Sequence, residues 1–550
     1  MKNFVRVICL VLASLFCLFA IVACDNGKTS KKGQNNTNVK IDENGVRWAE
    51  DEWGVWREYD NLPDDLDYND SISFLHWETE GTVKPEFEQS EEVDDARLSA
   101  IYKRNKAIEN RLGVTLNFSS ELQGSLTELV SRAKDAGTHD FDIIATYSPQ
   151  AGRMMMAGLL RNITAAEKNY IELSKPWWPV NLAHNMAIRG NIYFLSGDCS
   201  TNAIDQMGCI YYNKDNLNEA HEQDAIEYFS KNEHVKTPED GDDGGDTASN
   251  MVYEKVYAGK WTLDDFIYLA SNKYVDKKGD GVTGDDRYGL SSESYTLAAL
   301  YGASNLRLME TSNDDTVLKI SDDWTSTKTV RLVAKLNTLL STNSYCVTAR
   351  MLDANGSVVY YQTPFYNGTG FFSLHYMRQA EGSLVNNDKI ENYGVLPCPK
   401  YDLNQKNYYT VIGNEFSIYG IFSDFEKRGN EQQTLSMLTA VIECWCSEAY
   451  RKTTPVIFEL NLKLKASPTQ CEADMCEIIR ASIEFDLGRV MRAQLAGSAD
   501  SNGPSLDGQV MTAAINGTPW VTVYGPNIEA YKNNLASFVE KLKTELVNVQ

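Results

Sequence analysis

Two periods of apolar and polar residues succeed one another through the first third of the chain. SISFLHWE (Ser71–Glu78) is predicted as a strand that ends in His76, Trp77 and Glu78. Leu98, Ile101, Ile108 and Leu112 then recur at helical spacing, and Gly113 is placed to end that helix. Val114 to Phe118 reads as a second strand, Leu126 to Ala136 as a second helix, and FDIIATYS (Phe141–Ser148) as a third strand. Strands and helices taken in turn argue for a parallel sheet covered by helices on both faces. Ligands of open sheets gather beyond the carboxyl ends of the strands. Those ends are His76-Trp77-Glu78 and Thr146-Tyr147-Ser148.

Further along, GCIYYNKD (Gly208–Asp215) is a strand that stops at Asn213, and KWTLDDF (Lys260–Phe266) carries a capping box from Thr262 to Asp265 ahead of an apolar helix stripe. DKKGDGVTGDDRYG (Asp276–Gly289) is a Gly- and Asp-rich turn. FYNGTGFF (Phe365–Phe372), NYGVLPCPK (Asn392–Lys400) and VIGNEFSIYG (Val411–Gly420) read as further strands with turns. Leu435, Leu438, Val441, Trp445 and Ala449 form one face of a late helix, and Ile528 to Leu546 an amphipathic helix close to the C-terminus. No short internal repeat of the solenoid type is present.

A length of 550 residues calls for more than one core. Ahead of them Lys2 and Arg6 precede an apolar run from Val7 to Val22, and Ile21-Val22-Ala23-Cys24 has the form of a bacterial lipobox. Residues 1–23 are therefore expected to be a lipoprotein signal peptide, and Cys24 the lipidated first residue of a chain held at the extracellular face of the cell membrane. Residues 25–45 lack apolar period and read as a tether; a lead-in to residue 66 is expected to pack on the first lobe. Glu239–Asp246 is an acidic, Gly-rich surface insertion. The formal charge of −24 has no basic stripe to offset it, which argues against a nucleic-acid partner. Ten Trp and 29 Tyr exceed what packing alone usually takes and suit a cleft in which flat rings stack on sugar faces.

The phrases at Gly208–Asp215, Lys260–Phe266 and Asp276–Gly289, in that order and spacing, resemble the extracellular solute-binding proteins of ABC transporters, family 1, the sugar-type class that includes maltose-binding protein, and in particular its long Gram-positive lipoprotein members. The resemblance implies an α/β, periplasmic-binding-protein-like type II fold: two lobes, each with a mostly parallel sheet flanked by helices, joined by a multi-strand hinge. It divides the chain into a first lobe at 67–205 and 411–490 and a second at 206–410 and 491–550. It also implies capture of a carbohydrate, in particular an oligosaccharide, by lobe closure, and delivery to permease subunits served by a separate ATPase; no phosphate-binding G-x-x-x-x-G-K-[ST] loop is present in this chain. The chain is expected to act as a monomer.

The expected ligand contacts are Trp77, Tyr147 and Phe372 for ring stacking, and Glu78, Asp198 and Asn414 for hydrogen bonds to hydroxyls. Trp177 and Trp178 fit either a cleft or packing. No G-x-S-x-G or H-E-x-x-H motif occurs, and no catalytic residue is assigned; a surface carbohydrate hydrolase needs only two placed carboxylates and stays open, as does an adhesin or sensor lipoprotein. The turn at Asp276 resembles a calcium loop, with Asp276 at position one and Asp280 at five. Lys278 at three and Arg287 at twelve depart from it, which favours a solvated turn without a cofactor, though Asp285 or Asp286 offers a replacement carboxylate. Eight cysteines follow Cys24; Cys444 and Cys446 point to different faces of a predicted helix, which leaves Cys199–Cys209 and Cys471–Cys476 the nearest candidate pairs, with free thiols the alternative.

Overall fold

The lead-in to the first sheet is itself folded. In the computed structural model β1 (Val39–Ile41), β2 (Arg47–Glu50) and β3 (Trp56–Glu58) form an antiparallel meander. Its turns are closed by aspartates that accept backbone N–H groups: Asp42 from Asn44 and Val46, Asp51 from Trp53 and Val55. Directly after β3, Tyr59 lies between two guanidinium groups, with Arg111 and Arg451 each 4.4 Å from its ring centroid. Arg111 also grips both oxygens of Asp60, at 2.6 and 2.5 Å. Burial pushes the Asp60 carboxyl up, but the charge and hydrogen bonds of Arg111 outweigh it and hold the group below its ordinary range. The structure describes residues 38–79, 85–179, 181–188, 190–221, 247–311, 318–342, 351–352, 356, 358–463, 469–495 and 505–547. Cys24, the tether up to residue 37, the acidic run 239–246 and Cys346 lie outside them.

The first sheet opens with β4 (Asp70–Glu78), β5 (Val114–Leu122) and β6 (Ile143–Tyr147), all parallel with β4 in the middle. Between β4 and β5 runs the helix Ala96–Leu112, started by the Asp95 side chain accepting from Leu98 N and ended at Gly113 in the left-handed conformation, φ 63°. Its stripe of Ile101, Ile108 and Leu112 is fully buried, as its spacing predicts.

The chain next enters a second sheet through β7 (Gly208–Asn213), joined there by β8 (Tyr288–Leu290), β9 (Gly370–Tyr376) and β10 (Tyr393–Leu396) in the order β10–β7–β9–β8. It returns through β11 (Thr410–Val411) to β12 (Ser417–Ile421), which pairs antiparallel with β6 at the edge of the first sheet. Each sheet so holds a strand reached from the other, and the α/β class holds. The expectation of mostly parallel sheets is met in the first and corrected in the second: β7 runs antiparallel to both neighbours, and only β8 and β9 are parallel. Every residue of β7, β9 and β10 is buried, so their sequences carry no alternation from which a direction follows.

Three segments lie side by side where the chain leaves one sheet for the other. Met207 bridges Ile412 antiparallel, Gly413 N donates to Gln206 O at 2.8 Å, and β11 pairs parallel with β13 (Ile483–Glu484). The approach is close enough to require glycine at 208, where a Cβ would lie 2.8 Å from Val411 O. Gly208→Ala is expected to destabilise the protein by about 1–3 kcal/mol, read as a lower urea midpoint; an unchanged midpoint would show that the strands separate at no cost.

The late helix spans Glu431–Thr454 and the C-terminal helix Trp520–Val547, both longer than the sequence pattern gives. The helix Gln470–Ala481 packs on β10 of the second sheet, tied there by Tyr253 Oη donating to Glu472 at 2.8 Å and by a Lys214–Glu472 ion pair. The capping box at Thr262 and Asp265 is formed, and Asp265 is further paired to Lys255 at 3.1 Å.

Candidate functional site

Beyond the carboxyl ends of β4 and β5 opens a cavity of about 370 Å³, lined by His76, Trp77, Glu78, Glu86, Phe87 and Glu88 among others. Strand geometry places these side chains. Successive residues of β4 point to opposite faces, so Trp77 is buried while Glu78, where the strand runs out, is exposed. Trp77 Nε1 donates to Ser417 Oγ at 2.7 Å, and that hydroxyl donates to Glu86. Glu86 accepts as well from Ser200 Oγ at 3.0 Å and Asn202 N at 2.9 Å. A single carboxylate thus ties β12, the helix Thr201–Asp205 and the segment after β4 to the Trp77 wall.

Burial raises the Glu86 pKa from 4.5 to about 7 despite these donors, and Asp205 adds to the rise. The folded state therefore holds a proton that the unfolded chain releases between pH 4.5 and 7. Stability falls as pH rises through that window, and above it the full cost, about 3 kcal/mol, is in place. Glu86→Gln is expected to remove this slope, because an amide of the same shape binds and releases no proton in this range. Denaturant unfolding at pH 5 and pH 8 should show the wild type losing about 3 kcal/mol relative to the variant, and a pH-independent difference would refute the assignment.

Trp77 also packs on Tyr147 at the end of β6, with ring centroids 5.1 Å apart. Burial raises the Tyr147 pKa, and the Arg492 charge beside it opposes the rise. Arg492 in turn lines a second, smaller cavity of about 70 Å³ with Tyr295, Asn414, Arg489, Ser505 and Asp507. Four of the six expected contacts are so brought to one region: Trp77 and Glu78 on the first cavity, Tyr147 between, and Asn414 on the second. Asn414 Oδ1 accepts from Arg489 at 3.3 Å and its carbonyl from Ser148 Oγ at 2.7 Å. Close by, Arg378, just after β9, pairs with Glu415, which also accepts from Gln206 Nε2 at 3.0 Å. The Tyr295 ring is 43% exposed and stands 6.0 Å from Tyr376, which makes it a further aromatic surface at this place.

Phe372 and Asp198 are placed otherwise. Phe372 is wholly buried in the core of the second sheet, 5.3 Å from Phe266 and stacked on Tyr212, so it has no face to offer a ligand. Asp198 is held by Arg480 Nη2 and Thr454 Oγ1, each at 2.8 Å, and serves packing. Trp177 and Trp178 are buried too, both indole N–H groups donating to Glu443. Nothing in the sequence distinguishes Glu86 from the acids around it, and Tyr295, Arg378 and Arg492 lie in helices or turns without motif.

At the Gly- and Asp-rich turn, carboxylate oxygens of Asp276, Asp280 and Asp286 lie within 4.8 Å of one another. Asp276 already accepts from the backbone N–H groups of Lys278, Gly279 and Gly281, and Asp286 from those of Lys277 and Thr283. The Lys278 ammonium pairs with Asp285, and Arg287 lies over the Phe371 ring. Two cations where a calcium shell needs oxygen do not fit that ion, and the turn is closed by its own hydrogen bonds. All described cysteines after residue 24 are free and buried. Neither Cys199–Cys209 nor Cys471–Cys476 is bridged; the thiol near Tyr419 Oη, at 3.0 Å, is that of Cys446.

No family model matches the chain, and no curated protein is similar to it. Solved structures are. The chain is similar to extracellular solute-binding proteins. Among them is the cyclic α-maltosyl-1,6-maltose binding protein from Arthrobacter globiformis, at 11% identity over 85% of this chain and 98% of that one, TM-score 0.46. A family 1 extracellular solute-binding protein from Bifidobacterium longum subsp. infantis matches at 14% identity over 86% and 99%, TM-score 0.43. An ABC transporter solute-binding protein from Agrobacterium radiobacter K84, in complex with ribitol, matches at 11% over 85% and 99%, TM-score 0.44.

Proposed function

We propose that this chain is a solute-binding protein that captures a carbohydrate between its two sheets by closure about the three adjoining segments, and hands it to an ABC permease energised by a separate ATPase. One observation carries the reading. The Trp77–Tyr147 ring pair stands at the carboxyl ends of the first sheet, between two cavities, one of which borders Tyr295 and Arg489 from chain beyond the crossings. The two rings are buried and form the floor, while the exposed ring of Tyr295 offers a face to stack on a sugar, and the charged groups beside it suit hydroxyls. A ligand touching both sides only when they are shut drives closure by its differential affinity. Lipidation at Cys24 would hold the protein at the extracellular face of the membrane.

A panel of saccharides followed by thermal melting tests the reading. A true ligand at a hundredfold excess over Kd stabilises by about 2.7 kcal/mol and is recovered intact. Recovery of cleaved sugar would instead support a surface hydrolase, and absence of any shift an adhesin or sensor.

A further inference from the structure

We propose that Cys199 and Cys446 are the two halves of a disulfide, a redox modification site that staples the turn before the crossing into the second sheet to the late helix Glu431–Thr454. The bond does not depend on the ligand; only the supply of its oxidant rests on the extracellular placement proposed above. Contacts on either side assemble the pair. Leu195 and Tyr419 of β12 exchange two backbone hydrogen bonds, at 2.8 and 2.9 Å, which lays the segment before Cys199 along the edge of the first sheet. Asp198 N donates to Trp177 O at 3.0 Å, and the Trp177 indole donates to Glu443, one turn before Cys446 on the late helix. The Asp198 carboxylate accepts from Thr454 Oγ1 at 2.8 Å, about two turns after Cys446.

Cys199 is thereby set against Cys446. The Cys446 thiol is hydrogen-bonded by both the side chain and the backbone of Cys199. The Tyr419 hydroxyl, 3.0 Å from Cys446 Sγ, is hydrogen-bonded to both thiols. Cys209, nearer to Cys199 in sequence, hydrogen-bonds Tyr211 in the second sheet instead. A buried cation faces the same place. Arg104 is wholly buried, its charge acts on Cys199, Cys446 and Glu86, and its Nη1 has no hydrogen-bond partner among the described residues. Its other nitrogens donate to Asn105 Oδ1 and to the carbonyls of Glu86 and Phe87. A thiolate is the nucleophile of disulfide exchange, and this guanidinium gives one formed here a counter-charge.

The oxidant is a small-molecule or protein disulfide. One cysteine thiolate attacks it and expels a first thiol, which leaves a mixed disulfide; the other cysteine then attacks the sulfur so bonded and expels a second thiol. Two S–H bonds are lost and one S–S bond forms, while the two electrons and two protons go to the oxidant as two thiols. Both sulfurs are buried in the folded protein, and burial pushes the Cys446 thiol up, so the bond is made while the chain folds or opens locally. Once made, it fixes the turn that carries Ser200 and Asn202, the donors to Glu86 on the wall of the Trp77 cavity.

Two treatments of the full chain test the proposal: refolding from urea in mixed oxidised and reduced glutathione, and holding native protein with oxidised glutathione in urea below its midpoint. Mass spectrometry of alkylated digests should find a Cys199–Cys446 peptide pair lacking two hydrogens. The urea midpoint should stand about 0.5 M or more higher in the oxidised than in the reduced protein, in the wild type and in Cys209→Ser alike. Cys199→Ser and Cys446→Ser should each abolish that difference, whatever their own stability. Alkylation of both Cys199 and Cys446 after both treatments, a bridge from either to another cysteine, or a midpoint difference that survives in Cys199→Ser would overturn the inference. None of these results bears on saccharide binding, so the carbohydrate reading stands or falls separately.

Discussion

Arg111→Ala is expected to cost the fold about 3–5 kcal/mol, the ordinary consequence of leaving one partner of a buried ion pair alone. Arg111 is 4% exposed and Asp60 not at all; the guanidinium bonds both Asp60 oxygens while covering one face of Tyr59. Its loss strands a buried carboxylate and frees the meander β1–β3 from the helices Ala96–Leu112 and Glu431–Thr454. Urea unfolding should show the drop, and limited proteolysis should cut first within residues 38–66. Replacing both partners by apolar residues, as in Asp60→Leu/Arg111→Met, is expected to recover most of the loss, since neither charge is then stranded. A loss under 1 kcal/mol in the single variant would mean that the lead-in is merely laid on the surface.

Trp445→Ala is the second large effect, about 3–5 kcal/mol. Trp445 is 2% exposed and meets Phe74 at 4.6 Å, Phe87 at 6.0 Å and Phe118 at 5.8 Å, with Arg104 above its ring at 5.4 Å. Phe74 lies on β4 and Phe87 on the cavity wall, so a void here loosens the floor behind Trp77. Ligand affinity should fall together with stability, and Trp445→Phe should restore most of both. Stability lost with affinity intact would detach this cluster from the site.

These two residues also mark what the sequence makes legible. Trp445 is placed by helical spacing with Leu435, Leu438 and Ala449, because a periodic stripe on a long helix has only one core to face. Arg111 and Asp60 are 51 residues apart, and no local pattern joins them. The same division runs through the site. Trp77, Glu78 and Tyr147 follow from strand ends in a parallel sheet, which is a rule of topology. Phe372 misleads, because a strand buried on both faces presents large aromatics in both directions, and the glycine turn before it looks the same whether the ring faces a cleft or a core. Asp198 misleads because its partner Arg480 comes 282 residues later. Glu86 stays hidden among the acids of KPEFEQSEE, since what makes it special is the convergence of Ser200, Asn202 and Ser417 from distant segments.

Small-angle scattering with and without a saccharide from the binding panel reads ligand-driven closure itself, because closure about the segments at Met207, Ile412 and Ile483 changes the distance between the two sheets. The radius of gyration is expected to be smaller at saturation and to return to the starting value on dilution. A saccharide that binds with the radius of gyration unchanged would contradict ligand-driven closure.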